Sequence, residues 1–320
     1  MKTKPRLFVS VPDDRHLDNR RQALKRSVIK FIAGHGFEPV GFEPEQFGTG
    51  LPLNLDSWTV ERAHRLIQQS DGVLVLALAR IHAHILSING EAGGEIPLVP
   101  RPLPTPYNHL EGALAISQGL PVLILYEESM DRSGIFASGI KSTTIPNNAD
   151  ASWVSSAQFS NHFVAWTQLV KRRRDVFLGY CSKADSVALE LRGFLEENDF
   201  SVLDWSRDFK PAGATILEEI EKASSQCRCA IFLFTMDDDL SESSTGKASF
   251  EAVPRDNVLL EAGYFTHSHG KSRVAIIREK GAKMPADLGG IIYLTFENRK
   301  DLGAIKEGIV KFLENTLGKR

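Results

Sequence analysis

Glu261 sits in the run Leu259-Leu260-Glu261-Ala262-Gly263. A carboxylate flanked by apolar residues is partly desolvated on folding, and that setting gives carboxylates functional pKa values. A salt bridge to a surface Lys or Arg is the structural alternative. Arg255 and Asn257 stand just ahead of it, in Pro254-Arg255-Asp256-Asn257-Val258. Glu111, with Asn108 before it, opens a comparable helical run in the first half of the chain and marks a possible second site. Gly179-Tyr180-Cys181-Ser182-Lys183 is a small polar turn between an apolar run and a helical one. Backbone N–H groups of such a turn can hold a phosphate. Neither a GxGxxG nor a Walker lysine pattern accompanies it. Asp204-Trp205, then Phe209 and Gly213, follow the next apolar run. An indole just off a strand end stacks on a planar ring or lids the core, and the sequence leaves both open.

Other reactive residues carry less. Cys227 and Cys229 form half of a metal-ligand pattern with no second pair, and a zinc site needs about four ligands. His82/His84 and His267/His269 lack carboxylate or cysteine partners nearby. We therefore expect no metal site. Three cysteines in 320 residues offer no disulfide framework and suit a reducing compartment.

The elements that must position these residues follow one pattern, in which apolar strand-like runs alternate with amphipathic helical ones. In the second half, strands are expected at 176–179, 200–203, 230–234, 273–277 and 291–296. Helices are expected at 186–197, 215–223 and 257–265, with a last helix through Ile305, Ile309, Phe312 and Leu313. In the first half, strands are expected at 7–11, 37–42, 72–78 and 122–126. Helices fall at 24–33, 60–69 and 107–117, and a closing helix runs through Phe163, Trp166 and Leu169. The halves align by eye: 36–42 answers 199–205, 60–78 answers 216–234, and 110–125 answers 260–277, which sets Glu111 opposite Glu261. Two tandem α/β domains of flavodoxin-like type are predicted, 1–173 and 174–320. In such sheets the ligand lies outside the carboxyl ends of the strands. The long segments 88–106 and 237–255 leave the sheets at that edge.

Composition suits a globular chain: 42% hydrophobic, 24% charged, net charge −2. That charge exerts no global pull towards nucleic acid or anionic membrane. The basic run Lys171-Arg172-Arg173-Arg174 is read as a helix end whose cations oppose the helix dipole. No stretch approaches the roughly 18 apolar residues needed to cross a bilayer. At the start, Pro12, Asp13 and Asp14 interrupt the apolar run before a signal-peptide core forms. A cytoplasmic protein without membrane or nucleic-acid partners is expected.

The blocks VFLGYCSKADSVALELRGFLE, LDWSRDFKPAGATILEEIE, AIFLFTMDDDL, VPRDNVLLEAGYF and KMPADLGGI occur in this order. Together they resemble the bacterial TIR-like nucleotide-binding family, which serves as effector in CBASS and Pycsar anti-phage systems and as the TIR half of bacterial STING–TIR proteins. The first turn is poorer in serine than that family's, and Leu260 and Ala262 replace bulkier neighbours of the glutamate. The resemblance implies cleavage of the nicotinamide–ribose bond of NAD+, which is substrate rather than cofactor. Glu261 is then the catalytic carboxylate. Trp205 and Phe209 form part of the ring pocket, with Asp204, Arg255 and Asn257 around it and the turn 179–183 near the phosphates. It further implies self-association and a nucleotide second messenger as trigger. The first half resembles, more loosely, a nucleoside 2-deoxyribosyltransferase-like or divergent TIR-like domain, expected to serve sensing or assembly. Two other readings stay open: a non-catalytic nucleotide-binding scaffold, and a deoxyribosyltransferase using Glu111.

Overall fold

The structure, a computed structural model, describes residues 4–42, 58–82, 87–89, 95–97, 101–137, 142–208, 213, 215–236, 238–239, 252–282, 288, 290–299 and 301–317. The chain divides into two compact units, Lys4–Lys171 and Arg172–Arg320. Each is a five-stranded, all-parallel sheet flanked by helices, so the protein is a tandem of two flavodoxin-like α/β domains.

In the first unit the strands are β1 (Arg6–Ser10), β2 (Glu38–Val40), β3 (Gly72–Ala77), β4 (Val122–Glu127) and β5 (Ser142–Ile145), in spatial order 2-1-3-4-5. The helices are α1 (Asn19–Gly34), α2 (Val60–Gln68), α3 (Pro106–Ser117) and α4 (Ala157–Arg172). Both faces of the sheet are covered, so the central strands are continuously apolar rather than alternating. Leu7 and Val9 pack into one cluster with Leu24, Val28 and Phe163, while Phe8 packs into the other with Val73, Val75 and Ala115. Helix starts are written locally. Asp18 caps α1, and Thr105 with Asn108 forms a capping box at α3, with Pro106 in its first turn.

The second unit has β6 (Arg174–Gly179), β7 (Val202–Asp204), β8 (Cys227–Phe234), β9 (Val274–Glu279) and β10 (Ile292–Phe296) in the same order, 7-6-8-9-10. Its helices are α5 (Asp185–Glu197), α6 (Ile216–Gln226), α7 (Asp256–His269) and α8 (Gly303–Leu317). Its core gathers Phe177, Phe232, Phe234 and Phe265, all fully buried.

The halves share more than strand order. Glu127, ending β4, accepts the backbone N–H of Ala79 at 2.6 Å and ion-pairs with Arg20 and Arg21. Glu279, ending β9, accepts that of Met236 at 3.0 Å and ion-pairs with Arg299 at 2.6 Å. In both units a buried carboxylate thus ties the end of the fourth strand to the chain leaving the third.

One strand was missed from sequence. Ser142–Ile145 forms the fifth strand of the first unit, where only four were expected. It reads Ser-Thr-Thr-Ile and lies at a sheet edge, where burial on alternate residues erases the apolar run used as the strand signal. The described parts of the long segments 88–106 and 237–255 include short antiparallel pairs: Ser87–Asn89 with Glu95–Pro97, Ile81–His82 with Pro102–Leu103, and Asp238–Asp239 with Ala252–Val253. No described helix is long and apolar enough to cross a membrane.

Candidate functional site

In the second unit, β6 ends at Gly179 and α7 passes beside it. Asp256–His269 starts from Arg255 and brings Glu261 into its second turn, 3% exposed. Oε2 of Glu261 is buried with no hydrogen-bond partner among the described residues. Burial alone pushes its pKa up to about 8. Gly179 permits this close approach. A Cβ there would lie 2.5 Å from the Phe232 ring and 3.1 Å from Glu261 Oε2. A desolvated, unsatisfied carboxyl at the carboxyl edge of a doubly wound sheet is an acceptor without a donor. Cations and hydroxyl groups supply what it lacks.

The other expected residues divide into two sets. Tyr180 and Asp204 meet in a polar network, with the Tyr180 hydroxyl donating to Asp204 Oδ1 at 2.8 Å. Arg207 donates to Asp204 Oδ2 at 2.9 Å, to Tyr180 Oη at 2.8 Å and to both oxygens of Asp185. Burial would raise the Asp204 carboxyl, but hydrogen bonds from Tyr180 and Arg207 hold it below its ordinary value. Burial, chiefly, pushes Tyr180 up to about 12. These side chains brace the exit of β7. Trp205, half-buried, packs edge-on against Phe177 at 6.0 Å, on the margin of the core. Cys181 is buried, its Sγ 3.8 Å from Thr235 Oγ1, whereas Ser182 and Lys183 are exposed in the turn leading to α5. The Lys183 carbonyl accepts from Arg299 at 3.0 Å. Arg255 and Asn257 are exposed at the start of α7. Gly213 is exposed at positive φ ahead of α6, and Phe209 lies outside the described residues. Cys227 and Cys229 are fully buried in β8, where burial drives the Cys227 thiol far above its ordinary pKa and disfavours a metal-binding thiolate.

The first unit holds a second buried glutamate in a cavity. Glu111 is 4% exposed in α3 and accepts the Trp58 indole N–H at 2.8 Å. Burial raises its pKa to about 7, against the lowering effect of hydrogen bonds with Ser10 and Trp58. Asn108 donates to the Ser10 hydroxyl at 2.8 Å while capping its own helix, so it pins α3 to the end of β1. The cavity beside Glu111 has a volume of about 200 Å³ and is walled by Phe42, Trp58 and Tyr107, with Arg15 and Arg80 at its polar side. Sequence reasoning missed these lining residues. They come from three separate connections and from α3 itself, and the local sign was a lone Trp58 ahead of the Thr59 cap of α2.

The second unit is thus a doubly wound α/β domain with a desolvated carboxyl at the carboxyl edge of its sheet. Residues 175–298 match the family described as "CAP12/Pycsar effector protein, TIR domain", so this part of the chain is similar to the TIR domains of that family. The chain is similar to the Pycsar effector protein BcPycTIR of Burkholderia cepacia, 28% identical over 145 residues, covering 43% of this chain and 46% of that protein. It is also similar to CD-NTase-associated protein 12 of Lachnospiraceae bacterium (strain RUG226), 30% identical over 131 residues, with 41% and 40% covered. A further relative is "Uncharacterized protein YuaY" of Escherichia coli (strain K12), 38% identical over 85 residues, with 26% and 28% covered. The chain spans less than half the length of each of these relatives.

Proposed function

We propose that the second unit cleaves the nicotinamide–ribose bond of NAD+ as an effector of anti-phage defence, with Glu261 as the key carboxylate. The observation that supports this is the unsatisfied, desolvated Glu261 carboxyl against Gly179. NAD+ is the substrate, and no cofactor is invoked. The C1′–N bond breaks with its electron pair passing to the pyridinium nitrogen, so nicotinamide leaves neutral and no strong general acid is needed. Positive charge develops on the ribose, where a carboxylate that also accepts from the ribose hydroxyls stabilises it. Water then attacks C1′ and releases a proton, giving ADP-ribose. In the empty site the Glu261 carboxyl holds its proton near neutral pH. A bound pyridinium brings a positive charge that favours the ionised form, so substrate binding itself generates the working group.

An enzyme that destroys NAD+ must rest at low activity. In this reading a nucleotide signal, suggested by relatives named Pycsar effector and CD-NTase-associated protein, acts through the first unit and promotes self-association. The trigger must favour the active assembly by several kcal/mol to shift a mostly resting population. The test is nicotinamide release from NAD+ by purified protein across a concentration series. Specific activity is expected to rise with protein concentration and to vanish in Glu261→Gln. Unchanged turnover in folded Glu261→Gln would remove Glu261 from the chemistry.

A further inference from the structure

The guanidinium that holds Glu279 reaches further than the end of β9. Arg299 Nε and Nη2 donate to the two carboxylate oxygens of Glu279 at 2.8 and 2.6 Å, and Nη1 donates to the Lys183 carbonyl at 3.0 Å. Glu279 Oε2 also accepts the Met236 N–H. One side chain therefore joins the end of β9 to the chain leaving β6, β8 and β10. β8 and β9 lie between β6 and β10, so this link bridges three strand spacings, roughly 14 Å of sheet edge. The first unit ties the same places with the arginine at the other end. There Arg20, in α1 after β1, donates to Glu127 at the end of β4 and to the Ala149 carbonyl after β5. The two ties differ in what they grip beyond the first strand of their sheet. In the first unit it is α1; in the second it is the turn that starts at Gly179, against Glu261. That turn is pinned on both sides. The Tyr180 hydroxyl is bonded to Asp204 and Arg207, and the Lys183 carbonyl is bonded to Arg299.

We propose that Arg299 is a positioning residue of the second unit: anchored on Glu279, it fixes the turn 179–183 so that the turn's backbone meets the phosphates of NAD+. This rests on the NAD+ reading of that unit. Arginine is needed because its planar fork serves a carboxylate and a carbonyl at once. A lysine is a single point charge, which pairs with Glu279 and releases the Lys183 carbonyl. The phosphates lie away from the breaking C1′–N bond, so loosening the turn weakens substrate binding and spares the chemical step.

Two measurements on the full chain test the proposal. Amide hydrogen exchange without substrate reads the tether itself, since the Ala184 N–H is bonded to the Cys181 carbonyl within the turn. Arg299→Lys should speed exchange in the peptide 180–190 about tenfold, the equivalent of one charge-assisted hydrogen bond, and leave β8 unchanged. Nicotinamide release reads the consequence. In Arg299→Lys, KM for NAD+ should rise about tenfold while kcat stays within about twofold. Arg299→Ala, which also strips Glu279, should show at least the same rise. Ile309→Val, a change of a buried residue in α8, controls for lost stability and should leave KM within about twofold. Unchanged exchange in both Arg299 variants, a fall in kcat at constant KM, or an equal rise of KM in Ile309→Val would each overturn the proposal. A wild type that binds NAD+ and releases no nicotinamide would overturn the cleavage reading alone. The dissociation constant of NAD+ then takes the place of KM, with the same tenfold weakening expected. No binding of NAD+ at all would overturn both.

Discussion

Glu111 in α3 and Glu261 in α7 lie in corresponding helices of two units with one strand order. Both are almost fully buried, at 4% and 3% exposure. The residues beside them differ. Ser10 ends β1 and hydrogen-bonds with Glu111, to which the Trp58 indole adds a second bond. Gly179 ends β6 beside Glu261 and offers no side chain. The carboxyl supplied with hydrogen bonds is raised to about 7, the one without to about 8. Equal burial thus gives unequal acids, because hydrogen bonds to the ionised form offset part of its desolvation. The first unit satisfies its glutamate and leaves a cavity beside it. The second leaves its glutamate without a donor among the described residues.

The largest expected effect tests the catalytic side of that contrast. Glu261→Gln should lower NAD+ turnover by about 10²–10³, the usual cost of removing one preorganised electrostatic stabiliser. In the wild type, kcat/KM should rise with pH and level off above about 8, since this ratio reports the free enzyme's carboxyl and the ionised form is the active one. A profile already flat from pH 6 would contradict the desolvated state of Glu261.

Stability sharpens the same comparison. Between its ordinary 4.5 and about 8, folded Glu261 keeps a proton that the unfolded chain has released. Stability must therefore fall as pH rises through that window and level off above it. Glu261→Gln should abolish this fall and gain on the order of a few kcal/mol over wild type at pH 8.5 relative to pH 5. For Glu111 the window closes at about 7, so Glu111→Gln should recover less. Chemical denaturation at the two pH values measures both, and a larger recovery at Glu111 would reverse the assignment.

Gly179→Ala should cost about 1–3 kcal/mol through overpacking against Phe232. Ser10→Ala should cost nearer 1 kcal/mol for lost hydrogen bonds. Thermal denaturation that ranks Ser10→Ala as the worse variant would show that the Phe232 ring yields freely. The strand-end clamps allow the same comparison, and one of them carries the smallest effect. Arg299→Ala strips the arginine from a buried Glu279 and should cost about 1–3 kcal/mol. Arg20→Ala leaves Arg21 on Glu127 and should cost under about 1 kcal/mol. Equal losses in a denaturant titration would mean that the second arginine adds no redundancy.

Much of this molecule was legible because its signals are local. Parallel strands buried on both faces are continuous apolar runs, as in Gly72–Ala77 and Cys227–Phe234. Helix starts are written by Thr105 and Thr215 with their capping boxes. Glu261 could be singled out because apolar neighbours along one helix already announce desolvation. The fifth strand of the first unit could not, since an edge strand need not be apolar.

What the chain order alone could not decide is which side chains converge. Asp204, a candidate ligand contact by sequence, is met in the fold by Tyr180, Arg207 and Arg192. Trp205 rests edge-on against Phe177, a contact between residues 28 positions apart that no local pattern announces. The cavity at Glu111 draws Arg15, Phe42, Trp58, Arg80 and Tyr107 from connections far apart in sequence. Sequence by itself determined the two sheets and the two buried glutamates, because periodicity and apolar context are properties of neighbours along the chain. Only the tertiary structure decided which glutamate is satisfied and which is bare. Hydrogen-bond partners are set by distances in space, and a serine or a glycine at a strand end acquires its meaning only when a helix is laid against it.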